Sequence, residues 1–154
     1  IDRLISHQIP FVIVGGYAAF AHGCTLLTQD LDLCIPFTTD TLLRLQQALQ
    51  DLHPIHRLTH QRVPLNLSPS SCEGLRNLYL DTDWGMLDCL GEIAGIGSYE
   101  QALQASLPIP FPSGPCRMLS REALITAKKA MGRPRDLETV SQLEHLIRID
   151  TNNG

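Results

Sequence analysis

Two costly features sit close together near the start of this chain. An apolar, β-branched run, FVIV (11–14), is broken by Gly15 and Gly16, and an alternating run, DLDLCI (30–35), follows soon after. Glycine loses more backbone freedom on ordering than any other residue. An ionised carboxylate is expensive to bury without a partner. A chain that carries both next to apolar runs needs something to offset each. FVIV suits a buried strand. YAAFAH (17–22) has helical composition and is closed by Gly23. In DLDLCI the polar and apolar residues alternate at period two, the mark of a strand with one wet face, and Pro36 ends it.

The rest of the sequence divides into short strands and helices. Residues 3 to 8 read as the end of a helix stopped by Pro10. Thr38 or Thr39 is placed to cap a helix to about Leu52, with Leu42, Leu43, Leu45 and Leu49 as its apolar side. Between 53 and 76 the pattern is weak. Extended pieces are predicted at 55–58 and 63–67, followed by a polar loop, SPSSCEG. NLYLDT (77–82) and MLDCLGEI (86–93) flank Asp83-Trp84-Gly85 as the arms of a hairpin. SYEQALQAS reads as a short helix, and LPIPFPSGPC as an extended segment that packs through the residues between its prolines. Ser120 is expected to cap a helix ending at Gly132, and Pro134 to start another to about Ile149. Strands mixed with helices predict an α/β (α+β) domain with a mixed sheet. One domain is expected over 1–154, with a core at about 9–118 and a helical part at about 119–150.

Composition narrows the function. The net charge is −4, with no long run of lysine or arginine, which argues against holding nucleic acid chiefly by neutralising phosphates. The five cysteines are odd in number and widely spaced, with no C-x-x-C pair, so neither a disulfide framework nor a zinc site is expected. They fit a reducing cytoplasm. No apolar stretch reaches the roughly 18 residues of a membrane span.

Asp30 and Asp32 leave the same face of their strand, roughly 7 Å apart along it. Carboxylates so placed repel unless a cation lies between them, and Mg²⁺ (or Mn²⁺) takes one or two carboxylates together with substrate phosphates. Asp88, in the apolar run M-L-D-C-L, is the third candidate. Were its strand next to DLDLCI, three carboxylates would converge, an arrangement suited to two ions about 4 Å apart. A strand, two glycines and a helix bring backbone amides to the same sheet edge, a place for phosphate. The competing reading of D-x-D is the solvated face of an amphipathic strand.

V-G-G-Y-A-A-F-A-H-G followed by T-Q-D-L-D-L resembles the signature of the polymerase-β-like nucleotidyltransferase superfamily. More narrowly, the chain resembles the small bacterial group that includes the AbiEii-type toxins of toxin–antitoxin systems. L-D-T-D-W-G-M-L-D-C-L is similar to the segment carrying that family's third carboxylate, which falls on Asp88. S-R-E-A-L-I-T-A-K-K-A-M-G-R-P-R-D-L is similar to the group's K-x-x-x-G-R-x-x-D region.

The resemblance spans residues 9 to 146 with a weak middle, and implies a nucleotidyltransferase-type sheet. It also implies transfer of an NMP from an NTP such as ATP to an acceptor hydroxyl: a tRNA end, a partner protein or a small molecule. In this reading Asp30, Asp32 and Asp88 hold metal and perform the chemistry, while Gly15, Gly16, Lys128 and Arg133 serve the nucleotide. A cognate antitoxin is the partner that a toxin would imply. Relatives often carry an arginine two positions before the threonine of T-x-D-x-D, where this chain has Leu26. That departure keeps open a catalytically degenerate module that binds nucleotide or a partner. D-x-D also serves sugar transferases, which the glycine pair and third aspartate fit poorly.

Other polar residues have structural readings of equal or greater weight. Lys128 is either the lysine aimed at phosphate or an exposed helix lysine, and Lys129, about 100° round the helix, is read as solvated. Asp136 is sufficiently explained by the start of the last helix, and Arg133 either reaches phosphate or pairs with Asp136. His53, His56 and His60 are interrupted by Pro54 and read as a solvated or partner-facing segment rather than a zinc site. His22 suits a helix C-terminus, and Trp84 is expected to pack on its own hairpin.

Overall fold

A computed structural model describes residues 1–152; residues 153 and 154 of the expected 1–154 unit lie outside the described residues. In chain order the elements are α1 (Asp2–Ser6), β1 (Val12–Val14), α2 (Gly15–Ala21), β2 (Asp30–Cys34) and α3 (Thr39–Leu49), then β3 (Ile55–His56) and α4 (Pro69–Cys72). They continue with β4 (Asn77–Thr82), β5 (Gly85–Leu90), β6 (Glu92–Ile93), β7 (Gly97–Ser98), α5 (Tyr99–Gln104), β8 (Ser106–Ile109), β9 (Cys116–Leu119), α6 (Arg121–Met131) and α7 (Pro134–Asn152). Seven strands form one mixed sheet in the order β3-β4-β5-β2-β1-β9-β8, and β6 pairs with β7 in a separate ribbon. β1 runs antiparallel to β2 and parallel to β9, and β2 runs parallel to β5.

The α/β class and the flanking helices agree with the sequence reading. The core sits on the central strands, where Val12, Ile13, Leu33, Cys34, Leu78, Leu80 and Leu119 are fully buried or nearly so. Leu42 and Leu45 of α3, Leu124 of α6 and Leu143 of α7 close it from the helices. The helix starts follow local chemistry. The Thr38 hydroxyl accepts from the Thr41 amide, the Ser120 hydroxyl accepts from the Ala123 amide, and Gly132 ends α6 at φ +67°. A side-chain oxygen at that position satisfies an amide that the helix leaves without a partner. All five cysteines are free and buried, and burial pushes the Cys34 thiol up to about 12.

Several boundaries differ from expectation. The glycine pair does not merely separate strand from helix, because Gly15 and Gly16 are the first residues of α2. SPSSCEG is not a loop throughout: Ser68 and Ser71 form a reciprocal capping box around a single helical turn, α4, with Pro69 at its start. MLDCLGEI is two strands, since Gly91 leaves the ladder and donates its amide to the Arg76 carbonyl at 2.8 Å. LPIPFPSGPC is extended only at its two ends, which pair as β8 and β9 across the intervening turn. Trp84 does not pack on its hairpin. It is 73% exposed, and the Arg3 guanidinium lies 4.9 Å from its ring centroid.

Candidate active site

Strand register builds the acidic cluster. Val14 lies opposite Asp32, Asp32 opposite Asp88, and Asp88 opposite Tyr79, so one row crosses four neighbouring strands. Asp30 is two residues from Asp32 on the same face. One oxygen from each of Asp30, Asp32 and Asp88 lies within 4.8 Å of the others. Leu33, which follows Asp32 and faces the opposite side of β2, is fully buried, which holds the aspartates on a packed element.

The glycines have a specific steric reason. A Cβ on Gly15 would lie 2.0 Å from Asp32 Oδ2, and one on Gly16 would lie 2.8 Å from the Thr28 Cβ. Gly15 also adopts φ +63°, a conformation that side chains disfavour. What the turn approaches is therefore the Asp32 carboxylate. The Thr28 hydroxyl donates to Asp30 Oδ1 at 2.9 Å.

Electrostatics mark the cluster as short of positive charge. Burial, then the neighbouring Asp30 and Asp88, push the Asp32 carboxyl up to about 6, against the Gly16 amide and the Lys128 ammonium, which favour its charged form. Burial also raises Asp88, opposed by Arg57. An all-oxygen donor set with an excess of negative charge fits a hard divalent ion such as Mg²⁺ or Mn²⁺, and suits zinc poorly. Asp30 and Asp32 are the residues that would hold it, with Asp88 the third carboxylate of the group.

Arg57 was not apparent from the sequence. Its Nη2 donates to both oxygens of Asp88, at 2.5 and 2.7 Å, and its Nη1 lies 2.8 Å from the Met86 sulfur. It follows β3, a two-residue edge strand in the least patterned part of the chain, and its backbone amide donates to the Tyr79 carbonyl. No local signal distinguishes it from neighbouring polar residues. Only the pairing of β3 with β4 brings it to Asp88.

A cavity of about 760 Å³ opens over the row, lined by Asp30, Asp32, Asp88, Arg57, Lys128 and Arg133 among others. Gly15 and Gly16 lie on its wall, so all seven residues singled out from the sequence border one space. Lys128 is not an exposed helix lysine. Its side chain is 16% exposed, and its ammonium donates to Asp136 at 2.8 Å. Arg133 Nε approaches the other Asp136 oxygen at 3.2 Å, so this buried carboxylate holds two cations at the cavity. Lys129 points away and pairs with Glu144 at the surface.

Leu26 also lines the cavity, and Arg135, which the sequence reading did not single out, stands in the same wall with its guanidinium donating to the Leu27 carbonyl. His22 is tied to the Leu119 carbonyl at 2.8 Å, and His53 pairs with Asp83 at the surface. Among the described residues, the three aspartates are the group arranged to hold a metal, and the histidines are not.

No family model and no curated protein matches the sequence. The fold is similar to that in the crystal structure of ANT(2'')-Ia in complex with adenylyl-2''-tobramycin. The TM-score is 0.54 at 18% identity, over 99% of this chain and 93% of that one. A solution structure of the antibiotic-resistance factor ANT(2'')-Ia aligns over 98% of this chain and 88% of that one, at 18% identity and a TM-score of 0.49. The likeness to the crystal structure shows that the chain has the nucleotidyltransferase fold.

Proposed function

We propose that the chain is a Mg²⁺-dependent nucleotidyltransferase, acting as one domain, that moves an NMP from an NTP such as ATP to an acceptor hydroxyl. The observation that carries this reading is the placing of Asp30, Asp32 and Asp88 in register on β2 and β5, beside the Gly15–Gly16 turn. In the reaction the acceptor oxygen attacks the α-phosphorus, the bond to the bridging oxygen breaks, and pyrophosphate leaves with its electron pair. A divalent ion bound at the cluster supplies charge neutralisation for the triphosphate. Asp30 and Asp32 would hold it, and Asp88, beside Asp32 on β5 and paired with Arg57, would help draw off the hydroxyl proton. Lys128 and Arg133, aligned by Asp136, meet the β and γ phosphates together with the amides at Gly15 and Gly16. Positioning and electrostatic stabilisation supply most of the rate, as in phosphoryl transfer generally.

The acceptor class is open to a small hydroxylated molecule, a partner protein or a tRNA end. ANT(2'')-Ia, with its adenylylated tobramycin, illustrates the first. A toxin of the AbiEii-like group, acting in the cytoplasm and restrained by a cognate antitoxin, is the biological setting that the sequence motifs favour. No described helix is long and apolar enough to cross a membrane. The test is pyrophosphate release from each NTP with host lysate as the acceptor source. Wild-type protein is expected to release it only with Mg²⁺ or Mn²⁺, and the Asp30→Asn/Asp32→Asn double variant is expected not to. Equal release by the two would sink the assignment.

A second reading, a degenerate module that binds nucleotide or a partner without turnover, is favoured by Leu26 and by the Arg57 guanidinium seated on Asp88. A thermal-shift titration separates the two. Stabilisation by an NTP at 100 times its Kd amounts to about 2.7 kcal/mol. Such a shift without pyrophosphate release from any acceptor pool would select the second reading.

A further inference from the structure

The three carboxylates are not equivalent. Asp30 accepts from a neutral hydroxyl and Asp32 lies against the Gly15 turn, whereas both oxygens of Asp88 are taken by one guanidinium nitrogen. We propose that Arg57 takes the place of a second cation. The site then holds a single divalent ion between Asp30 and Asp32, while the Arg57 guanidinium on Asp88 excludes another. The inference rests on the metal-dependent reading above and sharpens it from the two-ion arrangement that a three-carboxylate cluster suggests.

Three observations support it. The first is anchoring. Arg57 is held at its backbone by the Tyr79 carbonyl, and its guanidinium is held at one terminal nitrogen by Asp88 and at the other by the Met86 sulfur. Its side chain is 22% exposed and that of Asp88 10%, so little water is available to separate the pair. The second is geometry. A Mg²⁺ ligated by Asp88, at about 2.1 Å from a carboxylate oxygen, would sit no more than about 5 Å from the Nη2 that donates to that same oxygen at 2.5 or 2.7 Å. Like charges that close in a half-buried cavity repel strongly. The third is charge balance. Asp30, Asp32 and Asp88 carry three negative charges, which one divalent ion and one guanidinium cancel. Lys128 and Arg133 share the one Asp136 carboxylate, so the positive charge they leave over lies on the cavity wall apart from the Arg57–Asp88 pair.

The experiment counts bound Mn²⁺ by the loss of the free-ion electron paramagnetic resonance signal, without nucleotide, on the full chain at pH 8. Wild type is expected to bind one Mn²⁺ per chain, and Arg57→Ala two. Arg57→Lys is expected to stay at one. Removing a buried ion-pair partner destabilises a fold, so Arg57→Ala/Asp88→Asn serves as the folded control. It lacks both the excluding charge and the second ligand, and is expected to return to one. Far-UV circular dichroism of every variant checks that the fold is kept.

Two Mn²⁺ on wild type would overturn the inference and leave the metal-dependent reading standing. One on both wild type and folded Arg57→Ala would likewise overturn it, since Arg57 would then exclude nothing. No Mn²⁺ on either would overturn the inference and the metal-dependent reading together. Loss of all binding in Asp30→Asn/Asp32→Asn, with one ion retained in Asp88→Asn, supports the assignment of the single ion to β2.

Discussion

Removing the charge of Asp32 should stabilise the metal-free protein at neutral and alkaline pH, and do nothing in acid. The carboxyl ordinarily titrates at 3.8 and is pushed up to about 6 here, chiefly by burial and then by Asp30 and Asp88. A raised carboxyl favours the protonated fold. Its contribution is therefore fully present below about 3.8 and is lost as pH rises through about 6, because the unfolded chain gives up the proton more readily. At 1.36 kcal/mol per pH unit this displacement corresponds to about 3 kcal/mol, and partial solvent access lowers the expected figure to about 2 kcal/mol. Asp32→Asn carries no such penalty. By urea unfolding it should be more stable than wild type by about 2 kcal/mol at pH 8 in EDTA, or by about 4–8 °C in Tm for a chain of this size. The two should converge by pH 4. Added Mg²⁺ should stabilise wild type at pH 8 and leave the variant nearly unchanged. A variant no more stable than wild type at pH 8, or a gap that widens toward acid, would refute the electrostatic account of the cluster.

Gly15→Ala should cost at least about 2 kcal/mol by the same unfolding assay, since the added methyl meets Asp32 and the backbone sits at φ +63°. An unchanged midpoint would mean that the turn is not built against Asp32. Lys128→Ala should cost about 1–3 kcal/mol and weaken NTP binding in a thermal-shift titration, because it strips a buried carboxylate of its direct hydrogen bond. Lys129→Ala should change neither by more than about 0.5 kcal/mol. Trp84→Ala should lose about 0.5–1 kcal/mol with the Arg3 contact and leave turnover intact; a large loss of turnover would place the hairpin tip at the acceptor.

The parts of the site legible in the sequence were those written in local pattern. Asp30 and Asp32 are on one face because strand periodicity puts them there, and Gly15 and Gly16 stand where β1 must turn at once into α2. Asp88 was legible as a carboxylate in an apolar run, which requires a reason to exist. Its alignment with Asp32 is a matter of long-range register, which no local pattern specifies. Arg57 was invisible for the same reason, since its strand has two residues and acquires meaning only by pairing with β4. For Lys128 the sequence left two readings, a lysine aimed at phosphate or an exposed helix lysine, because its burial depends on α7 folding back to place Asp136 beneath it. The Ser68–Ser71 capping box could have been read from the sequence, but a single helical turn leaves too few apolar positions to show a period.

The central claim, metal-dependent transfer of an NMP, is tested most directly by comparing NTPs labelled on the α and the γ phosphate. Each is incubated with wild-type protein, Mg²⁺ and host lysate, and the label is followed into RNA, protein and small molecules. The account predicts that α-label enters one of these pools, that γ-label leaves as pyrophosphate, and that EDTA or Asp30→Asn/Asp32→Asn abolishes both. Transfer of γ-label to an acceptor, or α-label transfer that survives in the double variant, would contradict it.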